Sequence, residues 1–154
     1  MPKEHRYTAT AIWSGATTGY KDYSRAHEIR VDGKPAIAAS SDAALGGDAD
    51  RLNPEDMLVG ALSSCHMLWY LHLCAVKGVV VTHYEDAAEG VMIEAPGEGR
   101  FTQVTLRPVV KIAATSDAAL AKSLHERAHH ECFIANSVNF PVKCVPVIAK
   151  AKAA

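Results

Sequence analysis

The chain opens on an alternation. Tyr7, Ala9, Ala11 and Trp13 interleave with Arg6, Thr8, Thr10 and Ile12, a period of two that predicts a first strand. Gly15 and Gly19 mark the turn after it. A second strand is expected over 23–31, closed by Asp32-Gly33, a dipeptide suited to a hairpin turn, before Lys34-Pro-Ala-Ile-Ala. The periodicity then stops. Residues 40–52 (SSDAALGGDADRL) are rich in Asp, Ser and Gly, which predicts an exposed loop that orders only in an assembly.

At Asn53 the pattern becomes helical. Asn53 can cap, Pro54 fits the first helical position, Glu55 and Asp56 suit the positive helix end, and Gly78 after Lys77 fits the stop. A helix of about six turns follows. From Met57 to Val76 no Asp, Glu, Lys or Arg occurs, a length that could span a bilayer. Ser63, Ser64, His66 and His72 lower its hydrophobicity, and neither a second span nor a juxtamembrane basic cluster accompanies it. The expectation is therefore a central, fully surrounded helix of a soluble protein. A helix apolar on all faces needs more cover than a few strands of so short a chain provide, which points to an obligate dimer.

Residues 79–93 predict a strand, Ala95-Pro-Gly-Glu-Gly99 a turn, and the next segment a second long strand with Val104, Leu106, Val110 and Ile112 on one face and Thr105, Arg107 and Lys111 on the other. Together they form a hairpin. Ser116 and Asp117 offer N-caps to a second, amphipathic helix over 117–130, in which Leu120, Leu124 and Ala128 recur at four-residue spacing. Residues 138–148 return to β structure with Val142 and Cys144 on one face, and residues 150–154 predict a frayed tail. The order βββ-α-ββ-α-β is an α+β fold of antiparallel sheets, one domain over 1–154, without internal repeats.

Composition narrows the function. Aromatics make up only 6% of the 154 residues against 49% hydrophobic overall, so the core must come from aliphatics and alanine. Sixteen Lys and Arg against seventeen Asp and Glu give a net charge of -1, which removes the electrostatic footprint of a general nucleic-acid or anionic-membrane binder. The partner is small, or another protein. No apolar segment or cleavage site follows the polar N-terminus, so export is not expected.

Four cysteines (Cys65, Cys74, Cys132 and Cys144) are too few and too widely spaced for a disulfide scaffold. Any disulfide would be transient and chemical. Cys74 and Cys144 lie in apolar runs and read as structural. Cys65, in the middle of the long helix among Ala61, Leu62, Leu68 and Trp69, reads either as a small buried hydrophobe or as a functional thiol. Cys132 follows His129-His130-Glu131, polar company that predicts a partly reachable thiol capable of ionising. Cys65-His66 and His129-His130-Glu131-Cys132 offer zinc-like ligands, but adjacent helical positions point about 100° apart and do not easily share one ion. No metal is expected. Nor is a cofactor, since no Gly-rich phosphate cradle is present.

Asn53-Pro54-Glu55-Asp56-Met57-Leu58, Ala61-Leu62-Ser63-Ser64-Cys65 and Ala128-His129-His130-Glu131-Cys132 together resemble the two cysteine motifs of the OsmC/Ohr family, the osmotically inducible and organic hydroperoxide resistance proteins. The resemblance runs from about Tyr7 to Val147. It implies a cytoplasmic, intertwined homodimer, thiol-dependent reduction of organic hydroperoxides, and a dihydrolipoyl group as reductant. It further implies that Cys65 is the peroxidatic thiol, Cys132 the resolving thiol, and Glu55 the carboxylate holding an activating arginine. Ile29-Arg30-Val31-Asp32-Gly33 matches the family's strand-then-Gly context better than Ser24-Arg25-Ala26, which favours Arg30 over Arg25. His66 after Cys65 and Phe133 after Cys132 depart from the pattern and mark a divergent branch. They motivate a rival reading, a non-catalytic or small-molecule-binding dimer on the same scaffold.

The chemistry suits these residue types. A thiol of ordinary pKa is only a few per cent thiolate at neutral pH, so Cys65 needs a nearby cation. Ten residues at 1.5 Å place Glu55 and Cys65 about 15 Å apart on a continuous helix. One arginine touching both predicts a break near Gly60 or Ser63-Ser64, or else an arginine that spans the gap, including one from another subunit.

Overall fold

The computed structural model describes residues 1–152. It falls into two compact units, residues 1–57 and the rest of the chain. The last two residues of the expected tail lie outside the described residues.

The first unit carries a three-stranded antiparallel sheet in the order β1 (Thr10–Ile12), β2 (His27–Arg30), β3 (Ile37–Ala39). Ala11 faces Ile29 and Glu28 faces Ala38 across the ladders. Gly33 takes φ 74° in the turn after β2, where Lys34 N–H donates to the Val31 carbonyl at 3.1 Å. Only glycine adopts that backbone without strain. The strands are shorter than the alternation suggested.

The loop over 40–52 makes a set of hydrogen bonds of its own. Asp42 caps a single 3-10 turn, Ala43–Leu45, accepting from Ala44 N–H at 2.7 Å. Ser40 Oγ accepts from Asp48 N–H at 3.0 Å, and Ser40 N–H donates to the Leu52 carbonyl at 2.9 Å. Short Ser and Asp side chains replace the missing ladder.

Helix α1 runs from Pro54 to Lys77 without interruption. Its buried residues are Leu62, His66, Tyr70 and Cys74, one stripe at four-residue spacing. Leu68 and Val76, off that stripe, are 60% and 65% exposed. A helix apolar all round in sequence is thus fully covered along one line within the single chain.

The remainder of the second unit is two three-stranded sheets, β4-β7-β9 and β5-β6-β8. Their strands are β4 (Val81–Asp86), β5 (Glu89–Ile93), β6 (Arg100–Leu106), β7 (Pro108–Ile112), β8 (Val142–Cys144) and β9 (Val147–Lys150). The expected hairpin is there, but each arm is bent. Its outgoing arm breaks after Asp86 and its return arm at Arg107, so β4 pairs with β7 and β5 with β6. Asp86 fastens the corner: Oδ1 accepts from Arg107 N–H at 2.6 Å and Oδ2 from Ser63 Oγ at 2.6 Å. Strands β8 and β9 join parallel to β6 and β7. Both sheets are therefore mixed where antiparallel sheets were expected.

Helix α2 (Ala118–Glu131) starts at Asp117, whose carboxylate accepts from Ala119 and Leu120 N–H, and Cys132 closes it. Two cores result. Tyr70, Cys74, Val110, Ile112, Ala121, Leu124 and Ala128 form one, while Leu62, Val104 and Leu106 form the other, under Phe101, Ile134 and Val142. Fully burying each of the larger aliphatic side chains contributes about 1.5–3 kcal/mol.

Candidate active site

The second unit brings Cys65 and Cys132 together. Cys65 sits half-buried on α1, and Cys132 is 1% exposed at the end of α2. The Cys132 thiol lies close enough to interact directly with that of Cys65, and both are free thiols. Burial, and next to it the neighbouring Cys65, push Cys132 up to about 11, against which Ala135 N–H donates to Sγ at 3.5 Å. This corrects the partly reachable, ionising Cys132 of the sequence reading: the polar residues before it belong to the helix end, while its own side chain turns inward.

Trp69 and Phe133 form an aromatic wall close in sequence to the two thiols. Trp69, one helical turn after Cys65, packs edge to face on Phe133, the residue after Cys132, with ring centroids 5.4 Å apart. Leu68, Trp69 and His72 line an open cavity of about 210 Å³.

On the buried side of α1, adjacent to Cys65 in sequence, a second cluster forms. His66 Nε2 and His125 Nδ1 are 3.0 Å apart, and Cys144 Sγ lies 3.6 Å and 3.9 Å from these two nitrogens. His66 and His125 are 1% and 3% exposed. Burial holds both imidazoles neutral, His66 down at about 4, with His129 adding to the shift, and His125 at about 3, with His66 adding to it. Burial pushes Cys144 up to about 12. The Tyr70 ring stacks on His125 at 3.8 Å between centroids, and its hydroxyl donates to the Ala121 carbonyl at 2.9 Å. Sequence reasoning missed this cluster. The sequence offers His66 as a zinc-type ligand beside Cys65 and as a departure from the family pattern, and nothing in the spacing of His125 and Cys144 links them to it.

The first unit holds the other two expected site residues. Arg30 is exposed and bound through Nε and Nη2 to Glu28 Oε2 at 2.9 Å and 2.6 Å. Glu55 has a buried Oε2 with no hydrogen-bond partner among the described residues. Arg25 donates to the carbonyls of Tyr20 and Tyr23 and stacks over the Tyr23 ring at 4.3 Å. It lines a cavity of about 310 Å³ with Trp13, His27, Ser41 and Pro54. The break expected in α1 does not occur. A continuous run of i to i+4 bonds leaves Gly60, Ser63 and Ser64 inside the helix, so Cys65 receives nothing from a helix N-terminus.

A sequence profile described as OsmC-like protein matches residues 47–145. The chain belongs to the OsmC-like family. Among solved structures, this OsmC-like chain is similar to an OsmC-like protein of unknown function from Vibrio cholerae, with 33% identity, a TM-score of 0.85, and coverage of 94% of this chain and 100% of that one. An organic hydroperoxide resistance protein from Elizabethkingia anophelis shares the fold at 19% identity and TM-score 0.71, covering 98% and 100% of the two chains. Among curated proteins, the uncharacterized YmaD of Bacillus subtilis is 25% identical over 97 residues, 61% of this chain and 65% of its own length. The match thus spans just under two thirds of that relative. A divergent place in this family fits the low identities.

Proposed function

We propose that this OsmC-like protein is a thiol-dependent peroxidase that reduces organic hydroperoxides to alcohols. The adjacency of Cys65 and Cys132, 67 residues apart in sequence, carries the reading. The Cys65 thiolate attacks the distal peroxide oxygen and the O–O bond breaks. Cys65 becomes a sulfenic acid, and the alkoxide leaves as the alcohol with one proton. Cys132 then attacks the sulfenic sulfur, expels water and closes a disulfide before further oxidation occurs. A dithiol, of which a dihydrolipoyl group on a protein is the candidate, returns both thiols and leaves oxidised. A resting Cys132 held protonated does not compete for peroxide. The Trp69-Phe133 wall suits an alkyl or aryl substituent better than hydrogen peroxide.

An arginine stabilises the Cys65 thiolate and the leaving alkoxide in this scheme. Arg25 has the better claim than Arg30, since its guanidinium is fixed by two carbonyls beside a cavity, whereas Arg30 is exposed and engaged by Glu28. Glu55, with an orphaned buried oxygen, is the carboxylate that orients it. The exposed line of α1 supports an intertwined homodimer of the whole 1–154 domain, in the cytoplasm, with no part for nucleic acid or membrane. The deciding experiment follows consumption of cumene and tert-butyl hydroperoxide by the reduced protein, with mass spectrometry of the Cys65 and Cys132 peptides. Consumption with a linked peptide is expected. No consumption and no link would favour the non-catalytic, small-molecule-binding dimer.

A further inference from the structure

Peroxide chemistry uses Cys65 and Cys132 and leaves the adjacent cluster without a task. His66 from α1, His125 from α2 and Cys144 from β8 present three ligand atoms within 4.8 Å of one another. We propose that they form a buried site for a borderline or soft transition-metal cation of the Zn2+ class, separate from the redox thiols.

The separations match such an ion. A cation about 2.05 Å from each nitrogen and about 2.3 Å from the sulfur subtends about 94° across the 3.0 Å nitrogen pair and about 112° and 127° across the 3.6 Å and 3.9 Å sulfur contacts. Their mean is near tetrahedral, with a fourth position left open. Two imidazoles and one thiolate form a donor set that selects zinc or copper over magnesium or calcium. Neutral imidazoles are the ligating form, and burial already keeps them so.

Charge also closes. Asp86 acts electrostatically on both His66 and Cys144, so a divalent ion, a Cys144 thiolate and the Asp86 carboxylate together carry no net charge, which a buried site requires. Without metal, the two rings lie 5° from coplanar with their nitrogens facing, an N–H···N hydrogen bond. Metal takes the place of that shared proton. It sits off the line of the nitrogens, and each ring turns by roughly 40° to aim at it. The proton between the rings moves to an outer nitrogen, His66 Nδ1 or His125 Nε2, both of which are buried and unpartnered among the described residues. Cys144 loses its proton as the metal–sulfur bond forms, so one proton leaves per ion bound.

The test titrates Zn2+ into reduced, chelator-washed protein against a chromophoric chelator, and Co2+ in parallel for its thiolate charge-transfer band. The expected result is one ion per chain, about one proton released, and a charge-transfer band, all kept in a Cys65→Ser/Cys132→Ser variant. Cys144→Ser, which preserves packing, should lose the band and bind at least about a hundredfold more weakly. Asp86→Asn should weaken binding about tenfold and keep the band. Absence of stoichiometric binding overturns the proposal. So does binding that is lost with Cys65 and Cys132, or that is unchanged in Cys144→Ser with native circular dichroism.

Discussion

Consecutive residues of α1 serve opposite environments. Cys65 is half-buried beside a second thiol, while His66 faces a sealed cluster in which every titratable group is held neutral. The helix turns about 100° between them. The surroundings of a side chain on α1 are therefore decided by which side of the helix it occupies. Burial keeps the Cys144 thiol protonated.

The largest expected effect tests the open side. Cys65→Ser should abolish hydroperoxide consumption, whereas Cys132→Ser should retain one turnover and then leave Cys65 over-oxidised. Equal residual activity in the two variants would erase the division of labour. A smaller effect separates the arginines: Arg25→Ala should lower the peroxide reaction by about 100-fold, the scale set by losing one preorganised charge, and Arg30→Ala by less than threefold. The reverse ranking returns the role to Arg30.

The sealed side is tested by acid. The folded-state values of His66 and His125 lie below the unfolded 6.5, so the unfolded chain binds more protons, and stability falls as pH drops below about 6.5 until the folded values near 4 and 3 are reached. One such imidazole should cost about 2 kcal/mol between pH 7 and 5. Urea midpoints would show it, and His125→Gln should flatten the dependence. A flat profile in the unsubstituted protein would mean that the cluster is not sealed. The smallest effect lies away from both sides. Asp117→Ala removes the α2 cap and should cost about 1 kcal/mol, read as a lower urea midpoint at every pH, with the peroxide reaction unchanged.

Much of the fold was legible because caps and periods are local. Asn53-Pro54 and Lys77-Gly78 bounded α1, Asp117 announced α2, and the even-numbered apolar positions from Val104 to Ile112 announced the returning arm of the hairpin. The bends were not legible. The even-numbered face continues through Arg107 although the strand changes sheets there, and the cause is a distant carboxylate, Asp86, taking the Arg107 N–H. The pairing of Cys65 with Cys132 came from motif resemblance, since 67 residues of spacing say nothing by themselves. The His66 cluster was hidden for the same reason: each member looks like a core residue, and only α1, α2 and β8 together bring the three side chains to one point. The uniformly apolar α1 did not reveal which stripe its own chain covers, because a helix apolar on every face carries no periodicity to mark one.

Parallel addition of the last strands sets the order in which the molecule can finish folding. Val104 pairs with Val142 and Val109 with Val147, contacts about 38 residues apart that close only after α2 has crossed back. The hairpin and both helices are local and fast by comparison. Cys144 rides on one of those late strands, so a chain still folding holds its hairpin and helices before the third member of the buried cluster arrives. Truncation at residue 140 should consequently leave helical signal and the hairpin while exposing apolar surface to a hydrophobic dye.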